Sequence, residues 1–536
     1  MRRPAPSGAS RRFTPIDATA RARAIDSVDR AGRSSAAGAA LALAVLVVAI
    51  HVVVNATSPY GVHRDELLYL AMGRHLRLWR MDFPPGIAMV AELSRGLFGD
   101  SLVALRIVPA IAHGALVALA AAIARAMGGA RAAQILAAVA VATVPLFLRA
   151  GNLLQPVVLD QLAWTVALLA LTRLGDHPTT GRWMLLGAAA GTGLLVKFSA
   201  LYFGAAFALA IVLSPLRREL RRPAPWLAMA LALAIGSPSL VGQLALDWPV
   251  VAQMRDLQAA QLARVTPWTF VAEQLLFGPA TLLALLGAAV LLFAHWARPF
   301  RATGLACAIA FVLLAVLRGK SYYFGPMYPT LYAAGAIALT RVPRLARTRV
   351  TVAMVLVVGY GLAVLPIGLP FLPPEPMSRY AAALGVGAVT RTNTGGTLAL
   401  PQDYADMLPW EAQAAAVARV YHGLPADERR DAVIIADNYG EAGAIDFHGP
   451  RHGLPPAVLP SSSYWFFGPG PKPGRVVVTI GVDSADLAAY YGSVTVMGRV
   501  TGSPYVVDEE RDVPLLVGRA PRTTLQAIWP TLAGRN

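Results

Sequence analysis

The feature that most constrains this chain is a series of long apolar runs. Ala36 to Val54 is almost uninterrupted Ala, Leu, Val and Ile. A helix needs about 20 apolar residues to cross a bilayer, and this run suffices. A signal peptide would have a shorter apolar core and a small-residue cleavage site close behind it. Here a polar, loop-like segment follows, so a permanent helix is expected. Further spans are expected at 103–124, 132–148, 157–174, 183–196, 198–214, 225–245, 270–294, 303–317, 323–340 and 350–370. That makes about eleven transmembrane helices. The pair 183–196 and 198–214 is the shortest, with Lys197 between its members.

The composition agrees. The chain is 56% hydrophobic and 14% charged, against about 25% charged in soluble domains. It carries a net charge of +17, and Lys197, Lys320 and Lys472 are its only lysines. Such a balance excludes a disordered chain. A nucleic-acid partner has no use for this many apolar runs. The lone Cys307 excludes a disulfide framework and a multi-cysteine metal site.

The positive-inside rule sets the expected orientation. With the N-terminus cytoplasmic, the Arg-rich connections fall inside, including the cluster Arg217, Arg218, Arg221 and Arg222. Residues 1–34 read as a disordered basic cytoplasmic tail. Residues 35–370 read as a transmembrane catalytic domain with a first outer loop at 56–100. Residues 371–536 then lie outside the cell membrane. Their alternation of β-rich runs (Ala432–Ala436, Arg475–Ile480) with helical stretches (Trp410–Tyr421) fits one extracytoplasmic α/β domain. The +17 then records orientation, since the excess sits on the cytoplasmic side.

Three polar segments fall on the outer side. The first loop holds Arg64-Asp65-Glu66 and Asp82-Phe83-Pro84-Pro85-Gly86. It is far longer than a usual connection, and such loops tend to be functional. Asp65 and Glu66 also suit a helix start, where the dipole favours negative charge. Asp160 follows Gln155-Pro156 and leads into an apolar run. An ionisable residue at a membrane boundary points to function, while a helix cap is its plainer role. The third segment is Arg318-Gly319-Lys320-Ser321-Tyr322-Tyr323-Phe324-Gly325-Pro326. Its cations and phenols suit an anion, although interfacial tyrosines also serve as anchors. Lys197 either snorkels or meets phosphate. Carboxylates facing cations and phenols suit the removal of a group from a lipid phosphate. The C-terminal segment adds Asp437-Asn438-Tyr439-Gly440-Glu441 after a strand, a shape for a helix-start anion site or a simple turn. It also adds Ser463-Tyr464-Trp465, whose rings suit sugar stacking, acceptor recognition or plain packing.

On these residues, over about 40–340, the chain resembles bacterial GT-C membrane glycosyltransferases of the family 39 group. These are related to protein O-mannosyltransferases and to lipid A aminoarabinose transferases. The resemblance rests on Arg64-Asp65-Glu66 with Tyr69, Asp82 before Pro84-Pro85, Gln155-Pro156 with Asp160, Lys197-Phe198, and Tyr322-Tyr323 with Pro326. It implies transfer of a sugar from a polyprenyl-phosphate donor to a hydroxyl of a protein, lipid or envelope glycan, with inversion. It implies Asp65 as general base, with Glu66 and Asp160 as further catalytic acids. Arg64, Asp82, Lys197, Arg318, Lys320, Tyr322 and Tyr323 are the expected substrate-binding residues. Phe83 departs from the aminoarabinose branch, which has a phosphate-binding lysine there, so phosphate contact must come from the other cations. The sequence names no certain cofactor, and a divalent metal on Asp65, Glu66, Asp82 and Asp160 stays open. A lipid-linked-sugar flippase and a membrane-anchored sugar-binding protein are the alternatives. Against the flippase, the halves show no repeat and the acids sit in loops rather than at mid-membrane.

Overall fold

The computed structural model describes residues 16–341, 343–385 and 387–532. All eleven apolar stretches form helix. In chain order the helices of the first part are α1 (Ile16–Thr57), α2 (Arg64–Arg74), α3 (Gly86–Phe98), α4 (Leu102–Ala126), α5 (Arg131–Thr143), α6 (Pro145–Gly151), α7 (Pro156–Asp176), α8 (Thr180–Val196), α9 (Ala200–Val212), α10 (Pro223–Ala245), α11 (Pro249–Ala260), α12 (Pro267–Glu273), α13 (Pro279–Phe293), α14 (Arg301–Val316), α15 (Tyr328–Thr340) and α16 (Pro343–Ala363). Among the described residues, six spans are long and apolar enough to cross a membrane as single helices, and up to nine if three bent pairs each count once. The pairs bend by 62° at α5–α6, by 95° after α9 and by 114° before α13. Pro145, Pro215 and Pro279 open the second member of each. A proline opens a helix well but cannot continue one, so a long apolar run is cut at these points. The two remaining stretches, α8 and α15, have 17 and 13 residues and fall short of spanning length.

The chain is thus a polytopic α-helical membrane protein with a C-terminal α/β region. Its transmembrane core runs from Ala40 to Val357 and is built largely of Ala, Leu and Phe. In α7, 72% of the spanning window is buried, against 11% in α16, so α7 lies at the centre of the bundle and α16 at its edge.

One difference from the sequence reading is at the N-terminus. Helix α1 begins at Ile16, inside the segment expected to be a disordered tail. Ala is the best helix former, and Ala18, Ala20, Ala22 and Ala24 fall in the first turns of α1. Residues 1–15 of that expected tail lie outside the described residues.

The C-terminal region holds a five-stranded sheet of β1 (Val433–Ala436), β2 (Ala457–Val458), β3 (Val476–Ile480), β4 (Tyr491–Thr501) and β5 (Asp512–Pro521), ordered β2-β1-β3-β5-β4. β2, β1 and β3 are parallel, and β5 and β4 are antiparallel to their neighbours. All five residues of β3 are buried, as expected of a strand covered on both faces. After β1 the chain enters the helix Tyr439–His448, which rests on α2. Gly443 makes the close approach possible, since a Cβ there would stand 2.6 Å from the Leu67 Cβ. Leu67, Leu70, Trp410 and Ala444 share one apolar cluster, so the first loop and the C-terminal region pack as one unit.

Candidate active site

The first-loop acids sit side by side in sequence and face different surroundings. His63 caps α2, its Nδ1 accepting from the Asp65 N–H at 3.0 Å. Glu66 closes a capping box by accepting from the His63 N–H at 2.8 Å. Glu66 also accepts from Arg106 Nε at 2.8 Å, Arg106 Nη2 at 2.7 Å and the Leu154 N–H at 2.7 Å. Both partners of this ion pair have side chains with 0% exposure. Burial opposes the Glu66 charge, but Arg106 and the two N–H donors outweigh it, and its pKa is held low. Glu66 therefore has its oxygens committed to the protein.

Asp65 is half-buried and reaches the other way. Its Oδ2 accepts from Gln155 Nε2 and its Oδ1 from Tyr439 Oη, both at 3.0 Å. Gln155 precedes the proline that opens α7. Tyr439 comes from the C-terminal region and was not singled out as a site residue by its own sequence. The Arg64 guanidinium lies over the Tyr439 ring at 4.8 Å and bonds Glu509 at 3.2 Å.

Lys320 feels the charges of Asp65, Asp403, Lys197 and Arg149. Lys320 donates to Gln261 Oε1 at 2.6 Å and to Asn393 Oδ1 at 2.9 Å, which leaves it one N–H. Burial lowers its pKa to about 8, against the pull of the Asp65 and Asp403 carboxylates and with the push of Lys197 and Arg149. Lys197 stands over the Tyr323 ring at 4.5 Å and the Tyr322 ring at 5.7 Å. Arg149 pairs with Asp403, and its side chain keeps 43% exposure. Asp403 also faces His63 Nε2 at 3.8 Å. Burial pulls the His63 imidazole down, but Asp403, Asp65 and Asp406 raise it to about 9. Arg149, Asp403 and Tyr439 are the members that sequence reasoning missed.

Local packing sets this arrangement. Lys197 ends α8, and the turn through Pro84 and Pro85 lies against that end. Gly86 permits the contact, since a Cβ there would meet the Leu195 carbonyl oxygen at 2.7 Å. Asp160 is buried in α7 and accepts from Ser199 Oγ at 2.7 Å, two residues beyond Lys197. Tyr322 and Tyr323 lie on a 3-10 turn, Ser321–Met327, packed against α7.

Two further expected site residues, Asp82 and Arg318, have partners of their own. Asp82 is 1% exposed and accepts from Ser463 Oγ at 2.7 Å and from Gln253 Nε2 at 3.1 Å. It joins the first loop to the C-terminal region and to α11. Arg318 is exposed, has φ 56°, and bonds the Ala263 carbonyl at 3.5 Å. Among the described residues, no three His, Cys, Asp or Glu side chains are grouped to hold a metal ion. The segment after β1 is a capped helix start. Asn438 accepts from the Gly440 and Glu441 N–H groups, and Glu441 returns the box.

Residues 82–241 match the family model described as dolichyl-phosphate-mannose-protein mannosyltransferase. ArnT from Cupriavidus metallidurans, in a crystal structure bound to undecaprenyl phosphate, superposes with a TM-score of 0.59 at 15% identity, covering 88% of this chain and 97% of that one. Its apo crystal structure gives 0.57 at 16% identity, covering 92% and 99%. At these identities the likeness is one of fold, and it includes the C-terminal region. No curated protein matches the chain by sequence.

Proposed function

We propose that this chain, which matches the dolichyl-phosphate-mannose-protein mannosyltransferase model over residues 82–241 and is similar in fold to ArnT, is a GT-C membrane glycosyltransferase that moves a sugar from a polyprenyl-phosphate donor to an acceptor hydroxyl at the outer face of the cytoplasmic membrane. One observation carries this reading. The ammonium of Lys320 lies in the field of the Asp65 carboxylate and of the Lys197 and Arg149 cations, and Lys197 itself stands over the rings of Tyr322 and Tyr323. The similar ArnT holds undecaprenyl phosphate in its crystal structure, which supports a lipid phosphate as the ligand of such cations.

The chemistry follows from the charges. Asp65 takes the proton of the acceptor hydroxyl as that oxygen attacks the anomeric carbon. The bond from that carbon to the phosphate oxygen breaks, and its electron pair leaves with the phosphate. Attack opposite the leaving group inverts the carbon. Lys320, with one N–H unspent, and Lys197 stabilise the charge on the departing phosphate. Gln155 and Tyr439 aim the Asp65 carboxylate, and Glu66 fixes the helix start that bears it. Asp160 and Ser199 hold the segment of Lys197. In this reading Glu66 and Asp160 position the reacting groups rather than touch the sugar.

Purified protein in sealed lipid vesicles, given radiolabelled polyprenyl-phosphate sugars and envelope extract, tests the reading. Label on an acceptor supports it. Label that only crosses the bilayer of sealed vesicles makes the protein a flippase and contradicts it.

A further inference from the structure

A groove of about 380 Å³ lies apart from the Asp65 cluster, lined by Arg77, Arg80, Leu246, Trp465, Phe466 and Trp529. Arg77 and Arg80 flank a tight turn closed by the Arg80 N–H to the Arg77 carbonyl at 2.7 Å. Both side chains are exposed, and neither guanidinium has an ion pair or side-chain hydrogen bond among the described residues. Their neighbours differ in this. Arg74 donates to the Asp446 carbonyl and Arg95 to Glu92. The opposite wall is rigid, because Trp465 and Trp529 each donate an indole N–H to the other's carbonyl, at 3.2 and 3.0 Å.

The depth of the groove is set by α10. That helix is long and apolar enough to span a bilayer, and its last residue, Ala245, lines the groove. The groove therefore opens at the end of a span, at headgroup level. Trp79 and Trp248, 50% and 46% exposed, sit beside it in sequence as interfacial anchors. A smaller cavity shares Arg77, Arg80 and Phe466 and reaches Asp82 in the first loop. Among the described residues, no carboxylate lines the larger groove.

Two unspent guanidiniums at headgroup depth match a phosphate, which they can grip through paired N–H bonds. The aromatic wall suits the apolar or sugar face of the same headgroup. We infer that this groove binds a phosphate-bearing lipid headgroup. Its occupation by lipid stands on the groove alone. That this lipid is the acceptor, waiting beside the catalytic loop, rests on the transferase reading.

The test uses full-length protein in detergent, with undecaprenyl phosphate saturating so that the Lys197 and Lys320 side is occupied. Short-chain phosphatidylglycerol should bind at least about tenfold tighter than short-chain phosphatidylcholine, and R77Q/R80Q should erase the difference. Equal affinity for the two lipids, or an unchanged difference in R77Q/R80Q, overturns the site. So does inorganic phosphate that displaces the lipid at equal concentration, since the site then takes a soluble anion. F466A, which keeps both cations, should weaken both lipids alike. In the transfer assay R77Q/R80Q should raise the acceptor KM and leave the donor KM unchanged. Lost lipid binding with an unchanged acceptor KM overturns the acceptor role alone.

Discussion

Tyr439 Oη donates a 3.0 Å hydrogen bond to Asp65 Oδ1 across 374 residues of chain. The bond ties the candidate base to the first residue of a helix launched from the C-terminal sheet. That region therefore reaches the site rather than merely capping the bundle.

Tyr439→Phe removes this bond and keeps the ring beneath Arg64. A hydrogen bond to a charged group is worth about 1.5–3 kcal/mol, so kcat should fall about 10- to 100-fold. The donor KM should stay near the parent value. Steady-state kinetics check this, and an unchanged kcat would remove Tyr439 from the site.

Glu66→Gln should act on stability before it acts on rate. The change leaves the Arg106 charge buried without a counter-ion, a cost of about 3–5 kcal/mol. Thermal unfolding of the purified variant should start at a clearly lower temperature. Adding Arg106→Met should recover most of the loss, because the unpaired charge is then gone.

Lys320 gives a pH dependence. Its folded pKa is lowered to about 8 by burial, so above that pH most molecules lose the ammonium that meets phosphate. Affinity for undecaprenyl phosphate should fall between pH 7.5 and 9, where a phosphate monoester is already doubly charged. The sign is fixed by the bound state, which keeps the proton that the free protein gives up. Lys320→Arg should hold its affinity across this window, since arginine stays charged. Titrations of the two proteins that run parallel would contradict the role.

His63 and Asp403 provide a second pH test, on stability. The folded pKa of His63 is raised to about 9 from 6.5, so the folded protein binds the extra proton between those values. Its stabilising contribution is full below pH 6.5 and lost as pH rises through about 9. The melting temperature of the parent should therefore decline relative to His63→Gln over that window.

The apolar runs made the helical architecture legible, because span length is a local property. What they could not give was the number of spans, since Pro145, Pro215 and Pro279 bend three of the runs. Asp65 and Glu66 were legible as a pair but not apart. Their different surroundings come from Arg106 and Leu154 on one side and Gln155 and Tyr439 on the other, all remote in sequence. Arg149 and Asp403 carry no local signal at all, because each is an ordinary charged residue until the fold pairs them across 254 positions. Arg318 had the expected charge and neighbours, yet a left-handed backbone at that position accompanies a side chain bonded to the Ala263 carbonyl. Side-chain direction at a helix end depends on the turn, which composition does not encode.

The central claim is that Asp65 takes the acceptor proton. The most direct measurement compares Asp65→Asn with the parent for both transfer of label and binding of undecaprenyl phosphate. Turnover should fall by about 10²–10⁴-fold while the protein stays folded and binds the lipid phosphate as before. Near-normal turnover in a folded Asp65→Asn protein would contradict the account.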